Sequence, residues 1–392
     1  MRFGLTLNAV AGCLFVGLIG FKADEGGGHW QAPQLAVDKY GEIYAPDWGI
    51  VPDGQDHSAQ LASLISAMGQ SQQGVKGAGA SMAVIRFAPG RTVASGDWSL
   101  LPCVRIAGAG RHGGAACTTL TSSDPVATVG RNRTGVPGTV PLDISDMRID
   151  NSVGDSINIT GVISGSIRRV HCEAKGNGIK FPYVVPASGT PINNLQIHLT
   201  DCETLNCGQA GISGWMNAQI DNHASTGCGI GLDLSGTIVL NLPRLEENGV
   251  SLVLGSVAPC QGVINVMTSE GSLLHARLTK NARRVIINVW QCLGDKHLGA
   301  VNPTVGLEMD GGSQCEIHAA DVSGQFTQSA IFLGPWVGPT IFGTTTAGNG
   351  SGPAWVNQMP AVNLTTIQTA IPGTVASPTP TPVPVPPVKT KK

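Results

Sequence analysis

The sequence predicts an all-β chain, folded as a single-stranded right-handed parallel β-helix with an N-terminal capping helix. Three observations predict this class: a self-similar middle region, a glycine-rich composition and one helical pattern ahead of the repeats. The chain has 392 residues with 53 glycines, 42% hydrophobic and only 5% aromatic residues. That composition suits many short strands joined by tight turns around a mostly aliphatic core.

Short alternating stretches recur along the middle of the chain at steps of 20 to 30 residues. Most are followed by a glycine and a second apolar stretch, as in GIGLDL at Gly229 and GVSLVL at Gly249. Such a repeat is typical of a β-solenoid, in which each repeat forms one coil about 4.8 Å above the last. A β-sandwich is the alternative, but its strands do not repeat a unit of constant length. The stretches begin at Met147, Val170, Ile197, Ile220, Leu240, Ile264, Ile287 and Ile317.

The helical pattern lies in the stretch GIVPDGQDHSAQLASLISAM, which begins at Gly49. Its Asp, His and Ser residues are those of acid–base and nucleophilic catalysis. Apolar residues from Leu61 to Met68 follow helical spacing, however, so an amphipathic helix is predicted over about 58–69. Asp56 or Ser58 then caps its first turn, and a catalytic triad on adjacent residues is geometrically implausible.

Three segments resemble the opening of pectate-lyase-like proteins (the pectin lyase superfamily, which includes phage tailspikes). They are WGIVPDGQDHSAQLASLISAM, MAVIRFAPGRTVASG and VRIAGAGR, in the order and spacing of that family. One departure is Pro52, where the family usually has Gly. With the repeats, the resemblance covers about residues 45–340. It implies that the helix covers the open end of a β-helix, and tailspike relatives imply a possible homotrimer.

The resemblance leaves the activity open, because this fold hosts lyases, hydrolases, epimerases and non-enzymes. A second motif, GAGRHG from Gly108 to Gly113, formally matches a dinucleotide-binding loop. The Thr- and Ser-rich stretch after it has no helical period, so it is interpreted as a β-helix turn.

The candidate catalytic residues are Glu203, Glu246 and Glu270, each six residues after the start of a repeat. Equal offsets stack into a column in a solenoid, which would place Glu246 and Glu270 about 5 Å apart, as in a retaining glycosidase. Glu203 would lie two coils from Glu246, about 10 Å away. Two carboxylates held close can serve as acid and base. The alternative is that these are simply solvated turn residues. The predicted substrate-binding residues near the same face are Asp201, His223, Arg244 and Glu247.

We therefore predict a protein that binds an extended polysaccharide and depolymerises it as a glycoside hydrolase or a lyase. The alternative is a non-catalytic structural or adhesive protein, such as a surface stalk or a phage tail fibre. No cofactor or metal is predicted, although a lyase could use Ca²⁺. Nucleic acid is excluded as a partner, because the net charge is −2 and no basic cluster is present beyond the terminal VKTKK.

The predicted organisation places the β-helix at residues 45–345. Residues 1–23 are apolar and resemble a signal or a membrane anchor, and 24–44 form a linker. Residues 346–392 form an irregular segment and a Pro-rich tail. With ten cysteines, the chain fits an oxidised, exported protein. The predicted location is therefore secreted or at the cell surface, with a virion tail as the alternative.

Overall fold

A computed structural model describes most of the chain from residue 41 to residue 366. The described ranges are 41–74, 83–98, 101, 104–112, 116–129, 141–162, 164–185, 189, 194–312, 314–350, 353–358 and 364–366. The predicted apolar segment, nearly all of the linker and the Pro-rich tail lie outside these ranges. Within them, no helix is both long and apolar enough to cross a membrane.

The regular structure of the described chain is almost all β. One 3₁₀ helix covers Ala45–Trp48, and one α-helix covers Ser58–Gly74. The strands are Glu42–Tyr44, Asp53–Asp56, Val84–Arg86, Gly90–Val93, Val104–Ala107, Thr118–Thr121, Val126–Val129, Pro141–Asn151, Ile157–Thr160, Ser164–Ala174, Ile179–Phe181, Ile197–Thr200, Glu203–Leu205, Ala210–Asp221, Ala224–Thr226, Ile230–Asn241, Arg244–Glu246, Val250–Leu254, Cys260–Glu270, Leu274–Leu278, Ala282–Gly294, Val305–Met309, Cys315–Gly324, Ser329–Leu333, Thr340–Asn349, Trp355–Asn357 and Leu364–Thr366.

These strands pair in parallel with the strands one coil away, which confirms the predicted parallel β-helix. Each coil contributes to three sheets. Ile197–Thr200 belongs to the first sheet and Glu203–Leu205 to the second. Ala210–Asp221 is long enough to begin in the third sheet and to end in the first sheet of the next coil.

Stacked aliphatic side chains fill the interior of the coils. One inward column of the first sheet contains Ile220, Leu240, Ile264 and Ile287, each at most 1% exposed. Full burial of each such side chain stabilises the fold by about 1.5–3 kcal/mol. The inward side chains therefore set the register of the coils.

The helix Ser58–Gly74 buries Leu61, Leu64, Ile65 and Met68 in the same core. It extends five residues past its predicted end at 69. Asp56 accepts hydrogen bonds from the backbone N–H and the hydroxyl of Ser58, which lower the pKa of its carboxyl. The opening cluster of polar residues thus caps the helix.

Six cysteines are buried thiols inside the coils. None of the six is in a disulfide, and the predicted oxidising location stays a prediction. A thiol is a small apolar side chain and fits the stacked interior. The six are Cys172, Cys202, Cys207, Cys228, Cys260 and Cys292.

Candidate functional site

The outward face of the second sheet carries most of the predicted site residues, and we call it the charged face. Its side chains form two columns, because alternate residues of a strand point the same way. The first column is Arg148, His171, Glu203, Ala224, Arg244 and Thr268. The second column is Asp150, Glu173, Leu205, Thr226, Glu246 and Glu270.

Glu246 and Glu270 are direct neighbours in parallel register, so the predicted stacking of these two residues is confirmed. Thr226 occupies the same column one coil earlier, as expected. Glu246 is half-buried and Glu270 is exposed. Neighbouring coils are about 4.8 Å apart, which brings the two carboxylates side by side. Their catalytic role stays a prediction.

Glu203 does not share this column, and the prediction that it does is wrong. Ile197 pairs with Ala218, while Leu199 pairs with Ile220. The repeat predicted to start at Ile197 is therefore equivalent to the next one only from Leu199, and the predicted offset of six residues is counted from a position two residues too early. Glu203 consequently pairs with Ala224, in the first column. The inward aliphatic column sets this register, and the alternating sequence alone left a two-residue ambiguity.

Two histidines surround Glu203. The Nδ1 atom of His171 donates to the Glu203 carboxylate at 3.1 Å, and His112 approaches the same oxygen at 3.7 Å. Burial opposes ionisation of Glu203, but His171, His112 and Arg111 outweigh it and lower the pKa of the carboxyl. Sequence reasoning missed these partners because Arg111 and His112 come from the GAGRHG turn, far away along the chain.

The predicted substrate-binding residues separate into distinct environments. Arg244 is exposed on the charged face, two residues before Glu246. Asp201 lies at the corner between the first and second sheets with φ 52°, and it accepts a hydrogen bond from Asn222. His223 is only 1% exposed, so its predicted place on this face is wrong. Its burial lowers the pKa of the imidazole to about 4.

Glu247 anchors an insertion that borders the charged face. Its carboxylate accepts a hydrogen bond from the backbone N–H of Leu298, and His297 lies 3.6 Å from it. The Nδ1 atom of His297 donates to the carbonyl oxygen of Gly271 at 2.8 Å. The Glu247 carboxylate is thereby engaged within the protein.

A cavity on the outward face of the third sheet has no counterpart among the predicted site residues, and we call it the Asp233 cavity. Its volume is about 330 Å³, within the range of small-molecule sites. Lys180, Ser213 and Asp233 stand on consecutive coils along it, because Lys180 pairs with Ser213 and Ser213 with Asp233. The ring of Tyr183 lines the same cavity.

Asp233 has the chemical signature of a functional carboxyl. Its Oδ1 atom is buried and has no hydrogen-bond partner among the described residues. Burial raises the pKa of this carboxyl, although a hydrogen bond with Ser256 acts in the opposite direction. Groups with such shifts cluster at functional sites. From sequence, Asp233 was one acidic residue in an apolar strand, and only the loop over it explains its burial.

A second carboxyl beside this cavity has the opposite character. Burial opposes ionisation of Asp155, but two hydrogen bonds from Asn177 and the charge of Lys180 outweigh it and lower the pKa. The Lys180 Nζ atom lies 3.3 Å from Asp155. Two carboxyls with pKa values pushed apart are a pattern of acid–base sites. Here the ionised one holds the lysine in place.

A larger groove of about 700 Å³ is lined by Trp215 and by residues of the following coils, and we call it the Trp215 groove. Consecutive residues Gly214 and Trp215 line the cavity and the groove, respectively. The rings of Tyr183 and Trp215 pack edge to face with centroids 5.6 Å apart. The two concavities are therefore neighbours, separated by an aromatic pair.

Within the described residues, no group of three or more His, Cys, Asp and Glu side chains is arranged to hold a metal ion. The Asp233 cavity and its border present two carboxyls, one lysine and an aromatic ring.

No protein-family model matches the chain, and no curated protein matches its sequence. Two solved structures are similar to it. The catalytic unit of a thermostable GH87 alpha-1,3-glucanase from Streptomyces thermodiastaticus strain HF3-3 has a TM-score of 0.52 and 15% identity, covering 88% of this chain and 71% of that one. The A-module of the mannuronan C-5 epimerase AlgE4 from Azotobacter vinelandii has a TM-score of 0.52 and 14% identity, covering 84% and 100%. At these identities the likeness is one of fold, and this chain shares the parallel β-helix architecture of the glucanase and the epimerase.

Proposed function

We propose that the chain binds an extended polysaccharide along the third sheet and cleaves its glycosidic bonds in the Asp233 cavity. The observation that carries this proposal is the buried Oδ1 atom of Asp233, which lacks a partner in a cavity that also presents an aromatic ring and a lysine. The glucanase and the epimerase are named for glucan and mannuronan, which supports a polysaccharide as the ligand class.

Asp233 acts as the general acid in this proposal. Its raised pKa keeps the carboxyl protonated at a pH where an ordinary aspartate is ionised, so it can protonate the leaving glycosidic oxygen. Lys180, held by Asp155, binds an oxygen of the sugar, and the ring of Tyr183 covers an apolar sugar face. Both hydrolysis and β-elimination need a proton on the leaving oxygen, and Asp233 supplies it in either case. In hydrolysis a water molecule forms the new bond at the anomeric carbon and releases its proton to solvent, whereas elimination also needs a base that removes the proton at C5 of the sugar.

The stacked pair Glu246 and Glu270 is the second candidate for the same reaction. The two residues are neighbours on strands about 4.8 Å apart, a spacing that can accommodate the carboxylate separation of retaining glycosidases. The exposure of Glu270 instead favours the alternative of a solvated face on a non-catalytic, adhesive β-helix. Secretion or a surface location agrees with an extracellular glycan and stays a prediction.

Three variants separate these possibilities in assays with a panel of polysaccharides that includes α-1,3-glucan and polymannuronate. We expect Asp233→Asn to lower the rate of glycan cleavage about 100-fold or more, as loss of a general acid does. Asp295→Asn is the matched control, since Asp295 is exposed in the insertion. New reducing ends measure both reactions, and an ultraviolet-absorbing unsaturated end identifies elimination.

The outcomes are distinct. If Glu246→Gln or Glu270→Gln abolishes cleavage while Asp233→Asn does not, the reaction occurs on the charged face and the Asp233 assignment is wrong. If no member of the panel is cut but some are bound, the chain is an adhesive protein.

A further inference from the structure

The Trp215 groove has a composition of its own, which differs from that of the Asp233 cavity. Its lining contains two arginines, Arg283 and Arg284, and several amide side chains, but no Asp or Glu among the described lining residues. The wall beside the cavity is Trp215, which is half-buried. A groove with cationic and amide groups next to an aromatic ring suits a polar, negatively charged ligand.

A β-bulge presents the two arginines together. Cys260 pairs with Ala282 and Gly262 pairs with Val285, so Arg283 and Arg284 both lie opposite the single residue Gln261. The extra residue bends the strand, and Arg284 adopts φ 54°. Both arginines are exposed as a result, whereas a regular strand would turn one of them inward.

The two guanidinium groups have little to neutralise them. Arg284 donates through Nε to the side-chain oxygen of Gln314 at 3.1 Å, which orients it without cancelling its charge. Arg283 has no ion pair or hydrogen bond among the described residues. Glu316 lines the adjoining hollow, but its carboxylate is 2.9 Å from His318.

Other arginines of the described chain contrast with this pair. Arg169 forms two hydrogen bonds with Asp146, and Arg148 contacts both Asp150 and Glu173. Those charges are balanced within the protein. The bulge therefore places unbalanced positive charge in a groove whose Trp215 ring contacts Tyr183 of the Asp233 cavity.

We infer that the Trp215 groove binds acid-bearing sugar units of the polysaccharide whose bonds are cleaved in the neighbouring Asp233 cavity. One sugar ring lies against Trp215, and Arg283 and Arg284 bind carboxylates of the following units. This inference rests on the proposed function, which supplies the polysaccharide, and it adds that the polysaccharide is negatively charged. Arg283 and Arg284 are binding residues, not catalytic ones.

Binding is tested in the Asp233→Asn chain, so that no cleavage interferes. Titration calorimetry with a mannuronate hexasaccharide is compared with a neutral gluco-hexasaccharide at low salt. We expect Arg283→Gln combined with Arg284→Gln to weaken binding of the acidic hexasaccharide about tenfold or more, since each lost charge-assisted hydrogen bond contributes. The difference in affinity between the parent and the double arginine variant should become smaller at high salt, where the charges are screened.

Arg91→Gln is the matched control, because Arg91 is exposed and lines neither the groove nor the cavity. It should leave binding of the acidic hexasaccharide unchanged. Trp215→Ala should weaken the same binding through lost stacking. The inference is overturned if the double arginine variant binds the acidic hexasaccharide as the parent does, or if Arg91→Gln weakens this binding equally.

Failure of the proposed function gives a different result. If no glycan is ever cleaved, but the acidic hexasaccharide binds with the expected dependence on both arginines, the groove assignment stands and the Asp233 reaction does not. If a neutral glycan is cleaved with the expected dependence on Asp233 and no acidic glycan binds, the Asp233 reaction stands and the groove assignment does not.

Discussion

The charged face and the Asp233 cavity use ionisable groups in opposite ways. On the charged face, Arg148 contacts Asp150 and Glu173, and His171 donates to Glu203. In the cavity, Asp233 is buried by a loop and its Oδ1 atom has no partner among the described residues. The face holds more charge, but the cavity holds a carboxyl oxygen that is buried without a partner among the described residues.

This difference teaches that the number of ionisable residues is a weak guide to a reactive site. Paired, half-exposed charges satisfy one another and gain little from a ligand. A buried carboxyl without a donor costs free energy, and a ligand hydroxyl can supply the missing hydrogen bond.

The largest expected effect concerns the backbone of the cavity. Gly214 has φ 118°, and a Cβ there would lie 1.8 Å from the carbonyl oxygen of Phe181. Gly214→Ala should therefore lower the free energy of unfolding by about 3 kcal/mol, measured by urea denaturation.

Gly154→Ala is the control for that substitution, since a Cβ at Gly154 would meet nothing within 4 Å. An equal loss of the free energy of unfolding in both variants would show that the close approach of the Gly214 backbone to the Phe181 carbonyl oxygen is not what requires glycine there.

The sequence predicted the fold well because the fold depends on short-range patterns. Gly229 and Gly249 begin strands at a repeated spacing, and Leu61 to Met68 show helical periodicity. The stacking of Glu246 on Glu270 followed from the same repeat. These features need only the positions of apolar residues and glycines.

The site was predicted poorly because it depends on contacts between distant segments. Asp233 is buried by a loop that contains Val257, and His112 reaches Glu203 from a turn about ninety residues earlier in the chain. Neither loop follows the repeat. A register shift of two residues at Ile197 was also enough to misplace Glu203.

The second prediction concerns charge balance on the charged face. Arg148→Ala leaves the carboxylates of Asp150 and Glu173 on neighbouring coils without a shared cation. We expect a loss of about 1 kcal/mol in the free energy of unfolding at low salt, and less at high salt. Glycan cleavage in the Asp233 cavity should not change.

Arg148→Lys helps to separate charge from geometry. Lysine keeps the positive charge but lacks the forked hydrogen-bond geometry of the guanidinium group. The free energy of unfolding of Arg148→Lys should therefore lie between those of the parent and of Arg148→Ala. If the loss caused by Arg148→Ala does not depend on salt, charge balance is not what Arg148 contributes.

The third prediction uses the raised pKa of Asp233. The folded state holds this proton more tightly than the unfolded state, so the group lowers stability as pH rises from 3.8 through the folded pKa. Asp233→Asn removes that loss. Its free energy of unfolding should exceed that of the parent at neutral pH, with the gap closing toward pH 3.8. Asp295→Asn should show no such trend.

The smallest expected effect is the reverse trend at Glu203. The lowered pKa of its carboxyl means that the folded state favours the ionised form, so Glu203 stabilises the fold above its ordinary pKa of 4.5 and loses this effect as pH falls through the folded pKa. Glu203→Gln should therefore be less stable than the parent at neutral pH, with a gap that closes on acidification. Urea denaturation between pH 3 and pH 7 measures both this series and the Asp233 series. Opposite slopes would show that the charged face gains stability from its ions while the cavity loses it. Parallel slopes would contradict the division of the molecule into a satisfied face and an unsatisfied cavity.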